Sequence, residues 1–294
     1  GKVQGQGRGG GFARRAPCRV FAKVVPIHGN WVGVARRVSA PLGSYLWCAT
    51  RLEAFALRRT EGVLCNSSYT ERIVQQRNFR TWRVPNALRR EFFDPPLPTT
   101  SLPEKPKLLN VGIVTSYKRQ NELLDLAERL HKDGHRFELQ FIGAADPRSS
   151  YSARFIERIK IAEGEGFARH LGATSLPELI ALFDGAQALV HVPSEEAFGL
   201  VVAEGLARNL KFFGTHVGGV PDIAGGIEGA ELFHREDGPA LANAMGKWLQ
   251  AGCSRPKTAA REIRLRYHPE VIAKRHAEIY AEVLGTSGFS NSGR

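Results

Sequence analysis

Cysteine is scarce and poorly placed for its usual structural uses. Cys18, Cys48, Cys65 and Cys253 are the four in 294 residues. They show neither metal-type spacing nor the density of a disulfide framework, which fits a reducing compartment. The nine histidines suggest no metal centre either, so no structural or catalytic metal and no cofactor are expected. Long apolar runs are also missing. None approaches the ~20 residues that cross a bilayer, and the first nineteen residues contain no apolar h-region of a signal peptide. Those nineteen hold no Asp or Glu; rich in Gly and Arg, they read as a disordered segment. A cytoplasmic protein is the expectation, with enough chain for two modest domains.

Acidic residues are thin in the first third. Residues 1–92 hold 17 Lys and Arg against 4 Asp and Glu, a net +13, while the whole chain carries +12. The remainder is therefore near neutral. Such a basic segment attracts phosphates, anionic lipid headgroups or nucleic acid. Nucleic acid is disfavoured: no recognised module is present, and the aromatics do not interleave with basic residues as stacking platforms would. Peripheral contact with an anionic membrane, on its inner face, is the further expectation.

No internal repeat is visible, and short strands alternate with helices. Strands are expected at Val20–Ile27, Gly62–Cys65 and Thr81–Val84, with helices over Tyr45–Arg59 and Ser67–Gln76. Pro26 suits the end or edge of the first strand. Residues 94–106, with five prolines and no periodicity, read as a linker. Strands then follow at Leu108–Val114, Phe137–Ile142, Ala168–Leu171, Ala188–Val192, Lys211–Thr215 and Glu231–Phe233. Helices are expected over Asn121–His131, Tyr151–Ala162, Leu176–Ala186, Gly238–Leu249 and Pro269–Leu284. Ser175 and Glu178 form a capping box ahead of the third of these, with Pro177 in its first turn. This order implies parallel sheets with right-handed crossovers, where ligands bind beyond the carboxyl ends of the strands.

The stretch after Val192 carries the chemistry. Pro193 and Ser194 end a strand, and Phe198, Val201, Val202 and Leu206 recur at helical spacing, predicting a helix from near Ala197. A tight turn into a helix N-terminus leaves outward-facing N–H groups that attract phosphate, and Gly199 permits close approach. Glu196 and Glu204 stand eight positions apart. Eight helical residues rise roughly 12 Å and turn about 80° beyond two full turns, so both carboxylates can face one ligand. A diphosphate with a hydroxyl-bearing group at each end fits that span, since ionised carboxylates accept from sugar hydroxyls. The plainer reading is one residue complementing the helix dipole and one surface glutamate.

The surrounding residues favour the first reading. Glu196-Ala-Phe-Gly-Leu-Val-Val-Ala-Glu204 resembles the E-x7-E motif of retaining nucleotide-sugar glycosyltransferases of family 4, which have the GT-B fold. Gly214-Thr-His-Val-Gly218-Gly219-Val-Pro-Asp222-Ile is similar to the next loop of the same donor domain. Val84-Pro-Asn-Ala87 with Phe92-Phe93 resembles the segment that enters it. The likeness covers roughly residues 20–285. It implies an α/β, GT-B-like fold: a partial Rossmann-like acceptor domain over 20–93 and a complete doubly wound Rossmann-like donor domain over 107–267. Residues 268–294 would be a helix packing back across both domains and a flexible tail. The opening strands and glycine-rich turn of the family's acceptor domain have no counterpart in the sequence.

By this resemblance the reaction moves a sugar from a UDP- or GDP-sugar to a carbohydrate or lipid-linked hydroxyl, with retention, as in cell-envelope polysaccharide synthesis. Glu196 would bind sugar hydroxyls and Glu204 the ribose, while the Phe198-Gly199-Leu200 backbone and Lys118 hold the diphosphate. Val111-Gly112-Ile113 through Lys118 matches the family's V-G-R-x-x-x-x-K pattern, except that Ile113 stands in place of its arginine. Arg119 is the nearest substitute cation; a solvated surface charge is the plainer reading of Lys118. His28, at the end of the first expected strand, matches the histidine placed near the reacting sugar, where it would orient the sugar or relay a proton. Gly218 and Gly219 would let their loop approach the donor, or serve only a tight turn. A nucleotide-sugar-binding remnant without turnover and a GT-B epimerase are the alternatives.

Overall fold

The computed structural model describes residues 24–27, 41–57, 60, 62–76, 80–96 and 104–284. The expected disordered segment 1–19, His28, and residues 20–23 of the first expected strand lie outside them. The described residues of the amino-terminal part form β1 (Val24–Ile27), α1 (Tyr45–Leu57), β2 (Gly62–Cys65), α2 (Ser68–Gln75) and β3 (Thr81–Arg83). Its three strands are parallel and lie side by side in chain order. A single 3-10 turn, Arg90–Phe93, leads out of it.

The second part holds β4 (Lys107–Val111), α3 (Gln120–Lys132), β5 (Glu138–Ile142), α4 (Ser150–Glu165), β6 (Ala168–Gly172), α5 (Leu176–Gly185) and β7 (Ala188–His191). It continues with α6 (Leu200–Ala207), β8 (Lys211–Thr215), α7 (Val220–Ala224), β9 (Ala230–Phe233), α8 (Gly238–Gln250), α9 (Ala259–Tyr267) and α10 (Pro269–Leu284). All six strands are parallel, in the order β6-β5-β4-β7-β8-β9. That is the doubly wound Rossmann order, reversing direction between β4 and β7.

Both faces of the six-stranded sheet are covered, which is why its strands read as near-continuous apolar runs. Ala188, Leu189 and Val190 of β7 are fully buried. One core gathers Leu109, Leu189 and Phe212 against α5, α6 and α9, around Phe183, Leu206 and Ile263. The other gathers Leu108, Phe141 and Val190 against α3, α4 and α8, around Leu123, Phe155 and Met245. The expected capping box forms: the Ser175 N–H donates to Glu178 Oε2 at 2.8 Å. Two helices had no strong signal. α7 is five residues long, and in α9 only Ala259, Ile263 and Tyr267 are buried, while the apolar Leu265 is exposed.

The last helix returns to the first sheet. Ile272 and Ile279 of α10 pack on Leu64, Trp82 and Val84. At the same junction the Trp82 indole donates to Glu282 at 3.2 Å, and Arg80 pairs with the same carboxylate. The two parts are thus joined by the returning helix as well as by residues 94–106.

Candidate functional site

The site forms where the sheet reverses, because the loops after β4 and β7 there leave in opposite directions and open a crevice. Gly112 begins the first loop at φ 149°, with its N–H bonded to the Ile142 carbonyl at 2.8 Å. Gly143 lies so close that a Cβ there would stand 2.2 Å from the Gly112 oxygen. This loop is stitched to the next one: the Ser194 N–H donates to the Tyr117 carbonyl at 2.8 Å. The stitch places Lys118 beside Glu196, with Nζ 2.6 Å from Oε2.

The helix expected from Ala197 starts three residues later. Gly199 caps it at φ 100°, a left-handed conformation that interrupts a right-handed helical path and favours glycine. Phe198 extends the apolar spacing without being helical. Its ring is buried and meets the Tyr267 ring edge-on at 5.8 Å, so only its backbone is available to a ligand. Leu200 opens the helix, 42% exposed. The loop after β8 braces this turn from behind. Gly219 N–H donates to the Glu196 carbonyl at 3.0 Å, and Gly218 at φ 55° leaves no room, since a Cβ would lie 1.6 Å from that carbonyl oxygen. The glycine pair therefore has a packing role in positioning Glu196.

Glu196 accepts twice on one oxygen: Oε2 takes Lys118 Nζ and, at 3.1 Å, His191 Nε2. Oε1 has no hydrogen-bond partner among the described residues. Burial pushes the carboxyl up, but the His191 hydrogen bond and the Lys118 charge together pull harder and hold it at about 2. It is a fixed anion at neutral pH. Glu204 is in the opposite situation. Burial raises its carboxyl to about 7, opposed only by the charge of Arg89, and no described group donates a hydrogen bond to it.

Across the crevice, α2 clasps the same turn. Ser67 Oγ donates to the Ala197 carbonyl at 2.6 Å. Ser68 donates to Asp222 through its N–H at 2.5 Å and its hydroxyl at 2.7 Å, and Tyr69 OH reaches Glu195 at 2.6 Å. Asp222 thus meets a positive helix terminus with an acceptor. Ile113 is 61% exposed, so a bare apolar side chain occupies the position of the pattern's arginine. Arg119 does not replace it: its Nη1 donates to the Arg235 carbonyl at 3.0 Å, and its Nε lies 3.9 Å from Glu122. Among the described residues, no group of three or more His, Cys, Asp and Glu could hold a metal, and no helix is long and apolar enough to cross a membrane.

Sequence reasoning brought together Gly112, Lys118, Glu196, Phe198, Gly199, Leu200, Glu204, Gly218 and Gly219 around this crevice. It passed over His191, Asp222 and Arg89. His191 was legible as an imidazole at the carboxyl end of an otherwise apolar strand, and Asp222 as the acid closing the glycine loop.

The profile of glycosyl transferases group 1 matches residues 98–264, more than half of the chain. The chain belongs to this family. The match spans residues 98–106 of the linker, the whole six-stranded sheet and most of α9, and so contains Lys118, Glu196 and Glu204. No curated protein matches the sequence. Among solved structures, this glycosyltransferase is similar to a sucrose-phosphate synthase from Thermosynechococcus elongatus: TM-score 0.71, 20% identity, 90% of this chain and 68% of that one covered. It is also similar to Anabaena HepE in complex with UDP-glucose, with TM-score 0.71, 16% identity and coverage of 88% and 72%. WaaG, a glycosyltransferase involved in lipopolysaccharide biosynthesis, gives 0.69, 14%, 90% and 75%. At these identities the likeness establishes the GT-B fold.

Proposed function

We propose that this glycosyltransferase is of the family-4, retaining type and moves a sugar from a UDP- or GDP-sugar to a hydroxyl of a carbohydrate or lipid-linked acceptor. One observation carries the reading: two carboxylates flank a single helix start, each with acceptor capacity that no group among the described residues uses. Glu196 is held ionised with Oε1 open, as an acceptor for hydroxyls of the transferred sugar. Glu204, buried without a donor among the described residues, suits the ribose diol. Lys118 and the N–H groups around Gly199 would take the diphosphate. UDP-glucose in the Anabaena relative is a ligand of this class.

In the proposed reaction the acceptor oxygen bonds to the anomeric carbon while the bond from that carbon to the phosphate oxygen breaks. The diphosphate leaves with the electron pair and takes the acceptor's proton on the same face. A carboxylate held at about 2 is a poor proton carrier at neutral pH, so Glu196 binds sugar rather than relaying a proton. Its contacts strengthen as positive charge develops on the sugar, whereas the ribose hardly changes. Glu196→Gln should accordingly lower kcat about 100-fold with little change in donor KM. Glu204→Gln should raise donor KM with kcat nearly kept. Steady-state kinetics with UDP-glucose and GDP-mannose check this, and equal effects of both variants on KM alone would remove Glu196 from the catalytic assignment.

Binding without turnover is a second reading, favoured by Ile113 in place of a cation. Calorimetric donor binding with no transfer or hydrolysis in the parent chain would select it. The acceptor side is proposed to meet an anionic membrane. Leu42, Tyr45, Leu52 and Phe55 are all more than half exposed along or beside α1, in the third of the chain that carries +13. Co-sedimentation should rise with phosphatidylglycerol content and fall with salt; binding indifferent to both would count against membrane contact.

A further inference from the structure

Three residues of β7, Ala188, Leu189 and Val190, are apolar and fully buried, and the fourth, His191, is 1% exposed. An imidazole buried beside them costs desolvation that an aliphatic side chain would avoid. Its one hydrogen bond to another described side chain is to Glu196, Nε2 to Oε2 at 3.1 Å. An ionised carboxylate only accepts, so the proton of this bond sits on Nε2. Burial, moreover, disfavours the charged ring and holds His191 below its ordinary value.

The same oxygen also takes Lys118. Two donors from two different loops converge on Oε2, which fixes both position and rotation of the carboxylate. Lys118 is a flexible ammonium that a diphosphate would attract away. His191 is rooted in a central strand, registered opposite Gly214 of β8, and cannot follow. The other charged groups nearby are engaged elsewhere: Glu195 with Tyr69 of α2, and Asp222 with Ser68.

We propose that His191 is the positioning residue of Glu196: its Nε2–H anchors Oε2 when Lys118 turns to the donor, leaving Oε1 as the fixed acceptor for a sugar hydroxyl. The proposal rests on the reading that Glu196 touches the donor sugar. It goes beyond that reading by assigning the orientation of the carboxylate to a strand residue rather than to the ligand or the lysine.

The test uses the full chain with 13C-labelled glutamate carboxyls. In the parent, Glu196 should remain ionised down to the lowest pH at which the chain stays folded. In His191→Leu its titration should move up by at least about one pH unit, and in His191→Gln, which restores an N–H, it should move back. With UDP-glucose, His191→Leu should lose about tenfold in kcat with a smaller change in KM, and His191→Gln should recover most of it. Unchanged Glu196 titration in His191→Leu overturns the proposal, whatever happens to kcat. If that variant does not fold, imidazole 15N shifts of the parent decide: a neutral ring protonated on Nε2 is expected, and protonation on Nδ1 overturns it. Glu196→Gln leaving kcat intact would instead strike the sugar-contact reading, with the titration still deciding on His191.

Discussion

Arg208→Met is expected to lower the unfolding free energy by about 3–5 kcal/mol. Arg208 follows α6 and is almost fully enclosed, with side-chain exposures of 3% for it and 5% for its partner Asp184. Its Nε and Nη2 reach the two Asp184 oxygens at 2.7 and 2.6 Å, a bidentate fork. Nη1 is shared by the carbonyls of Asp94, at 2.5 Å, and Phe92, at 3.4 Å. One guanidinium therefore satisfies a buried carboxylate, the 3-10 turn and the first residue of the linker together. Methionine fills similar space but leaves Asp184 charged and those carbonyls without their donor. Asp184→Leu added to Arg208→Met should recover most of the loss, because an apolar pair replaces an ion pair at little net cost. Urea unfolding followed by circular dichroism checks both variants. A single variant within about 1 kcal/mol of the parent would show that this pair does not anchor the linker.

The Arg208 anchor shows the limit of what the sequence discloses. Strand and helix alternation was readable because burial on both faces leaves runs such as Ala188–Val190 and apolar faces such as Leu123, Leu124, Ala127 and Leu130 of α3. The GT-B class followed from the motif around Glu196, and the family profile over 98–264 supports it. Pairings between residues distant in the chain left no periodic trace. Arg208 to Asp184, and Ser68 to Asp222, are single polar contacts whose meaning depends on the fold already being formed. The helix start illustrates a local failure of the same logic. Phe198 matches the apolar spacing of α6, but Gly199 at φ 100° decides where the helix begins. The candidate site was legible as a list of residues, while the opposed electrostatics of Glu196 and Glu204 came only from their three-dimensional surroundings.

At pH 8, Glu204→Gln is expected to be more stable than the parent by up to about 3 kcal/mol, and to bind UDP- or GDP-sugar less tightly. The Glu204 carboxyl is lifted by burial from 4.5 to about 7, with Arg89 opposing weakly. An unfolded chain releases this proton near 4.5, so between the two values the folded state holds a proton that the unfolded state has lost. The group's contribution to stability is then full below about pH 4.5, declines as pH rises towards 7, and stays at its minimum above that. Glutamine is neutral throughout and escapes the decline. The difference between variant and parent should therefore be small at pH 4 and grow to a plateau above pH 7. The gap of about 2.5 between the two pKa values, at roughly 1.36 kcal/mol each, sets the ceiling. A fold keeps such a strained carboxyl where a ligand uses it. Ribose hydroxyls donate better to the ionised form, so donor affinity should fall as pH drops below 7, and binding near pH 6 should release a proton. A nucleotide sugar carries no phosphate that titrates in this range, so calorimetry in buffers of different ionisation enthalpy reads the released proton directly. A Glu204→Gln chain no more stable than the parent at pH 8, and binding donor as tightly, would remove Glu204 from the site.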